Sequence, residues 1–328
     1  MKKIICLLLV FMFMFTLTAC GGGDKNTTSN SSEYIVDSNT VTLVNDAYKK
    51  TGEVLNDISA LGYVVDYKRS MKVDDVTTAV RMGVEYDFIK NENGIIISLG
   101  EIAKNDQTSK EFYLYDDTKN IYATYAGTEY IITRNDAATE TLTKRIDSLE
   151  YVDGSAFKVL DTVVVDTASG GHGFVLKYDP VESGFDVAKV FGPLYSEKDY
   201  VVKPTGLKIS GIIDTEGRLV SQTVTYSYSY DYEEEVTNPN IDPDNSDAAT
   251  TQKVKKTANF ELVAEYGFNY NITEIAVPDG IALIPAEPAE DYKKPKELSI
   301  DDFNKLVNGT SEDSDSKKEN TNKKSNNK

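Results

Sequence analysis

Cysteine is nearly absent. The 328 residues hold two, Cys6 and Cys20, both near the start. Beyond residue 20 no disulfide and no thiol chemistry can be built, so stability must come from the core. Histidine occurs once, at His172, in the turn Gly170-Gly171-His172-Gly173. One histidine with no cysteine beside it leaves no set for a zinc site or a Cys–His nucleophile. A basic excess is missing too: 35 Lys and Arg stand against 53 Asp and Glu, a net charge of -18. That balance excludes a nucleic-acid footprint and charge-driven docking onto anionic lipid. No apolar run after residue 15 approaches the ~20 residues needed to span a bilayer. Ser169-Gly170-Gly171 lacks the Lys-Ser/Thr pair and helix of a phosphate loop. The paired acids Asp74-Asp75, Asp116-Asp117 and Asp301-Asp302 show no ligand alternation. Asp242–Asp247 lacks the glycine and terminal glutamate of a calcium loop. No metal, cofactor or catalytic set is expected.

What is present begins with an address. Lys2 and Lys3 precede the apolar run Ile4–Phe15. At ~1.5 Å per residue that run reaches about 18 Å, short of a ~30 Å bilayer core, and reads as a signal peptide. Leu17-Thr18-Ala19-Cys20 and Gly21-Gly22-Gly23 follow. This order resembles the lipobox of bacterial lipoproteins. The resemblance implies cleavage behind Ala19 and a lipid anchor on Cys20, facing the extracytoplasmic side of the membrane. Residues 1–19 are therefore expected as signal peptide and 20–39 as a lipidated flexible tether. Residues 40–285 are expected as one α+β domain, and 286–328 as a polar, mostly disordered tail with a short helix at Ile300–Val307.

The domain is organised around Leu207–Ile272. Val220, Gln222, Val224, Tyr226, Tyr228, Tyr230 and Tyr232 share one face of a strand, and the residues between them share the other. Phe260, Leu262, Ala264, Tyr266, Phe268, Tyr270 and Ile272 line a face in the same way. Period-two patterning of this length predicts half-buried antiparallel sheet that twists and curls. Gly211 and Gly267 are expected to mark its bends. Shorter strands are predicted upstream, with helices at Val41–Leu61, Ala137–Leu149 and Pro180–Tyr195. Glu233–Lys256 reads as a long loop whose acidic entry and basic exit favour one register if the strands pair.

This order of elements is similar to that of bacterial lipoproteins of the LolA/LolB and LppX type. The phrases that carry it are Val41–Leu61 running into Tyr63–Val73, Ile209–Leu219, and Asn271–Pro278. The resemblance implies a curved antiparallel sheet, an incomplete barrel, packed over two or three helices around a cavity for acyl chains. Val224, Tyr226, Tyr228, Phe260, Leu262, Tyr266 and Phe268 would line it. The expected function is a membrane-anchored carrier of a lipid or other hydrophobic ligand. The alternative is a non-enzymatic cell-surface interaction protein whose core is filled. The receptor of a solute importer shares the lipobox, but needs alternating strand–helix units that this chain lacks.

Overall fold

The long alternating strands carry the architecture as expected. The computed structural model describes residues 36–308 apart from 93, 105–108, 148, 196–199, 238–250 and 279. The expected signal peptide, Ala19, Cys20, most of the tether, the Asp242–Asp247 stretch and the last twenty residues lie outside the described residues.

Among the described residues, twelve strands form one curved sheet that does not close into a barrel. They are β1 (Ala60–Val73), β2 (Val76–Asn91), β3 (Gly94–Lys104), β4 (Ser109–Asp116), β5 (Ile121–Tyr125), β6 (Thr128–Ile132), β7 (Val159–Asp166), β8 (His172–Tyr178), β9 (Lys203–Ile213), β10 (Leu219–Thr237), β11 (Thr251–Asn269) and β12 (Lys296–Leu298). Their spatial order is β12-β6-β5-β4-β3-β2-β1-β11-β10-β9-β8-β7. Every pairing is antiparallel except β12 on β6. Two meanders thus meet where β1 lies beside β11.

Four helices are present among the described residues: α1 (Ser38–Asn56), α2 (Asp136–Asp147), α3 (Val187–Phe191) and α4 (Ile300–Asn308). α1 begins at Asp37, whose carboxylate accepts from the N–H groups of Asn39 and Thr40, the usual cap for orphan donors. Its buried stripe is Thr40, Val44, Ala47, Tyr48 and Thr51. The helix stops at Asn56, short of the expected Leu61, which is instead a fully buried core residue of β1. It runs through Gly52, where an added Cβ would lie 3.0 Å from the Tyr151 hydroxyl. α2 buries Ala138, Leu142 and Ile146 behind an Asn135 cap.

The third expected helix is a correction. Pro180–Tyr195 holds only the five-residue α3 and a single 3-10 turn. Asp179 draws the N–H groups of Val181 and Glu182 onto its carboxylate, and Gly184 takes a φ of 69°. Both features stop a helix from starting before Asp186.

β10 and β11 also extend further than expected. Register continues through Glu233↔Lys255 and Glu235↔Lys253 to Thr237↔Thr251, so both ends of the expected Glu233–Lys256 loop, residues 233–237 and 251–256, are strand. The opposite charges do meet: Lys253 Nζ lies 3.5 Å from Glu233, and Lys256 Nζ 2.7 Å from Glu234. Past Ser229 and Ala258 neither β9 nor β1 accompanies the pair, which continues as a two-stranded ribbon. At the other end, Gly211 lies beside a register shift in β10, where an added Cβ would strike Ser221 O at 2.3 Å. Sheet and core also continue past residue 285. β12 pairs with Tyr130–Ile132. α4 places Ile300 and Phe303 in the core, the Phe303 ring meeting Phe112 and Tyr130.

Candidate functional site

The inner, helix-covered face of the sheet is where the seven expected ligand-lining residues lie. Strand register brings six of them together: Val224 faces Ala264, Tyr226 faces Leu262, Tyr228 faces Phe260, and Gln222 faces Tyr266. Phe268 sits further along, opposite Tyr63 of β1. All seven are buried, none more than 4% exposed. Their partners are one another and the covering segments. Tyr228 stacks on Phe260 at 4.7 Å, Tyr195 meets Tyr228 edge-on at 5.6 Å, and Phe185 covers Tyr226 at 5.6 Å. Tyr67 joins Tyr266 to Phe191 of α3. The Arg69 guanidinium lies over the Phe260 ring at 4.9 Å. Offset and edge-to-face pairs of this kind are each worth about 0.5–1.5 kcal/mol beyond the area they bury.

A segment without any period completes the cover. Residues 149–158, between α2 and β7, cross the inner face as a strap. Gln222 is the polar residue in an otherwise apolar row, and the strap explains it. Its Nε2 donates to Val152 O at 2.7 Å, and its Oε1 accepts from Val152 N–H at 2.8 Å. The amide pairs with the strap as a neighbouring strand would. The Tyr151 hydroxyl donates to Tyr48 O at 2.6 Å, and its ring packs between Tyr48 and Phe268. The Tyr63 hydroxyl donates to Glu150 O at 3.0 Å. Gly154 leaves room for the Tyr178 hydroxyl, which an added Cβ would approach to 2.7 Å. Sequence reasoning missed this strap. Its one visible trace was Gln222, a polar residue set in a row of apolar and aromatic ones.

Apart from the Arg69 guanidinium, the ionisable groups of the inner face are chiefly phenols. Burial pushes the Tyr226 hydroxyl up to about 12, with Tyr195 adding to it, and burial likewise raises Tyr178 to about 12. Tyr63 and Tyr266 are raised further, again chiefly by burial. These phenols stay protonated through the physiological range and supply no base there.

Among the described residues, cavities open elsewhere. One of about 310 Å³ lies between α1 and the β9–β10 turn, lined by Leu43, Asp46, Lys50, Glu53 and Glu216 among others. Another of about 420 Å³ lies on the β10–β11 ribbon between Asp231 and Lys256. None of the seven residues lines either. His172 opens β8 instead of standing in the turn, with Nδ1 3.0 Å from Asp166 Oδ1 at the surface. Among the described residues no group of three or more His, Cys, Asp or Glu is placed to hold a metal ion. No helix among them is long and apolar enough to cross a membrane.

No family model matches the chain, and no curated protein matches it. Among solved structures it is similar to a DUF1329 family protein from Desulfovibrio piger, at 9% identity and a TM-score of 0.20. That match covers 72% of this chain and 95% of the other. It is also similar to MucB in complex with MucA(peri), at 8% identity and a TM-score of 0.17, over 69% of this chain and 93% of that one. A second structure, the MucA/MucB complex of Pseudomonas aeruginosa, matches with the same figures. Overlap this shallow leaves the function to be argued from the chain itself.

Proposed function

We propose that this chain is a lipid-anchored, extracytoplasmic lipoprotein whose domain works as a non-enzymatic interaction protein with a filled core. The observation that carries it is the packing of the inner face. A carrier needs an apolar cavity, commonly ~300–1,000 Å³, with a few polar groups to orient its cargo. Here the seven residues expected to line one are in contact with one another, with α3 and its flanks, and with the strap. The cavities beside α1 and on the β10–β11 ribbon lie outside that space and are edged by charged residues. What remains for recognition is the surface. The anchor rests on Leu17–Cys20 and the glycine run behind it; two acyl chains hold a protein where one is marginal.

Two measurements test this. Cys20→Ser should leave the protein in the soluble fraction after a high-salt wash, and its retention in the membrane fraction would refute the anchor. Solvent extraction of the purified protein, followed by lipid mass spectrometry and titration with a fluorescent fatty-acyl probe, should find no stoichiometric ligand. Recovered lipid beyond that of the anchor, or saturable probe binding, would restore the carrier reading.

A further inference from the structure

The two ends of the sheet are built differently. At one end β12 is three residues long, and Lys296 and Glu297 make it charged. Short charged edges resist further pairing. At the other end β7 offers eight residues with no proline and no lysine, centred on Val163-Val164-Val165. Those three side chains are 51%, 37% and 57% exposed. Successive side chains point to opposite faces, so three exposed in a row mean that neither face of this stretch is fully covered.

The backbone is equally open. Thr167 N–H donates to Gly171 O at 2.8 Å across the β7–β8 turn. Residues of an antiparallel ladder alternate between bonding to the neighbour and facing away. With Val163 opposite Val175 and Val165 opposite Gly173, these two bond to β8. Thr162, Val164 and Asp166 turn their N–H and C=O groups outward. Among the described residues no strand meets them. The Thr162 hydroxyl accepts from Asp37 N–H at 3.0 Å, so the start of α1 marks one limit of the open run.

Charge selects the occupant. Asp161 and Asp166 bracket the valines; Lys177 already holds Asp161 at 2.9 Å, whereas the Asp166 side chain is 90% exposed beside the His172 ring and is the acid that faces a partner. A second copy of this chain would bring a molecule of the same net charge, -18, and set Asp161 and Asp166 against their own kind, which opposes self-association. We propose that β7 is the docking edge for an extended basic segment of a partner protein, which adds antiparallel as a further strand. Apolar residues would lie opposite Val163–Val165, and a Lys or Arg opposite Asp166. Main-chain hydrogen bonds give such strand addition its affinity, and the side chains give its specificity. The proposal names the surface for the interaction reading above and rests on it.

The test uses the full chain and a blocked peptide, Lys-Val-Val-Val-Thr-Lys, with a Glu-ended version as control. Anisotropy should show saturable binding of the Lys peptide, at least about tenfold tighter than of the Glu peptide. Amide exchange at Val164 and Asp166 should slow on binding. Val164→Pro removes an outward N–H while sparing the β8 ladder, and should abolish binding. Asp166→Lys tests the same edge without a backbone change, and should reverse the preference between the two peptides. No binding of either peptide overturns the proposal. Binding that survives both variants moves the site elsewhere, overturning this assignment while leaving the interaction reading standing. A concentration-dependent dimer that Val164→Pro dissolves, or slow exchange at Val164 before peptide is added, gives the edge to another occupant and also overturns it. Recovered lipid would strike the wider reading instead, and is measured separately.

Discussion

Gln222→Leu should loosen the strap from the sheet. Val152 is 7% exposed, and both its N–H and C=O rest on the Gln222 amide. Leucine of similar size leaves two buried backbone groups without partners. Each unsatisfied buried group costs about 1–3 kcal/mol, and partial relaxation of the strap toward water brings the expected total to about 2–4 kcal/mol. Gln222→Glu sharpens the test. Its ionised carboxylate still accepts from Val152 N–H, but sets a second oxygen against Val152 O. Protonated, it donates there as the amide does. The folded-state pKa of that carboxyl is therefore raised above its unfolded value of ~4.3. A raised pKa contributes stability that is present below the unfolded value and lost as pH rises through the folded one. The deficit of Gln222→Glu relative to the parent should thus shrink as pH falls from 7 toward 4.5. With no tryptophan to report, urea unfolding followed by far-UV circular dichroism, at both pH values, gives the numbers. A Gln222→Leu cost under about 0.5 kcal/mol, or a Gln222→Glu deficit independent of pH, would refute the clamp.

Two further outcomes follow from the faces of the sheet. Tyr228→Asp should cost several kcal/mol, roughly the 3–5 kcal/mol of a large core truncation plus an unpaired charge, because its ring is 1% exposed and stacked on Phe260. Ser227→Asp, on the outer face opposite Glu261, should cost no more than about 1 kcal/mol from like-charge pairing; equal losses in denaturant melts would mean the strand is covered on both sides. Burial, with Glu85 adding to it, raises the Asp87 carboxyl to about 6, so Asp87 weighs increasingly against the fold as pH rises from the ordinary carboxylate range through that value. Asp87→Asn should therefore stabilise by about 1 kcal/mol at pH 7, after allowance for solvent screening, and by almost nothing near pH 4; thermal melts with the opposite pH trend would contradict the cause assigned.

How far the sequence could be read depended on the range of the interaction involved. The alternation from Val220 to Tyr232 is local, and it placed strand, faces and partner together. Glu233 and Lys255 lie on either side of the hairpin, yet their charges anticipated the register that the structure shows. The five-residue α3 was misjudged because apolar spacing through Val181, Phe185 and Ala188 outvoted Asp179 and Gly184, whose local bonds and φ decide the backbone. β12 and the burial of Phe303 were hidden because a three-residue strand has no period to detect. The cavity question was beyond local reading altogether. Whether the tyrosine row is a wall or a packed core depends on Tyr151 and Val152, which arrive from a segment without pattern and some seventy residues away from Gln222.

The meeting of the two meanders sets a timetable. β1 is among the first strands to be made, yet its register runs from Gly62 opposite Asn269 to Val73 opposite Ala258. At ~5–20 residues per second, roughly 10–40 seconds separate the synthesis of the two strands. Until β11 is present β1 can pair only with β2 and leaves its other edge open, the kind of long-range pairing that slows folding and exposes chains to aggregation. Asp66, Lys68, Arg69 and Lys72 stand along it. Charges placed within a strand that must wait for its partner act as gatekeepers, and keep the first half of the chain from finding the wrong neighbour before the second half exists.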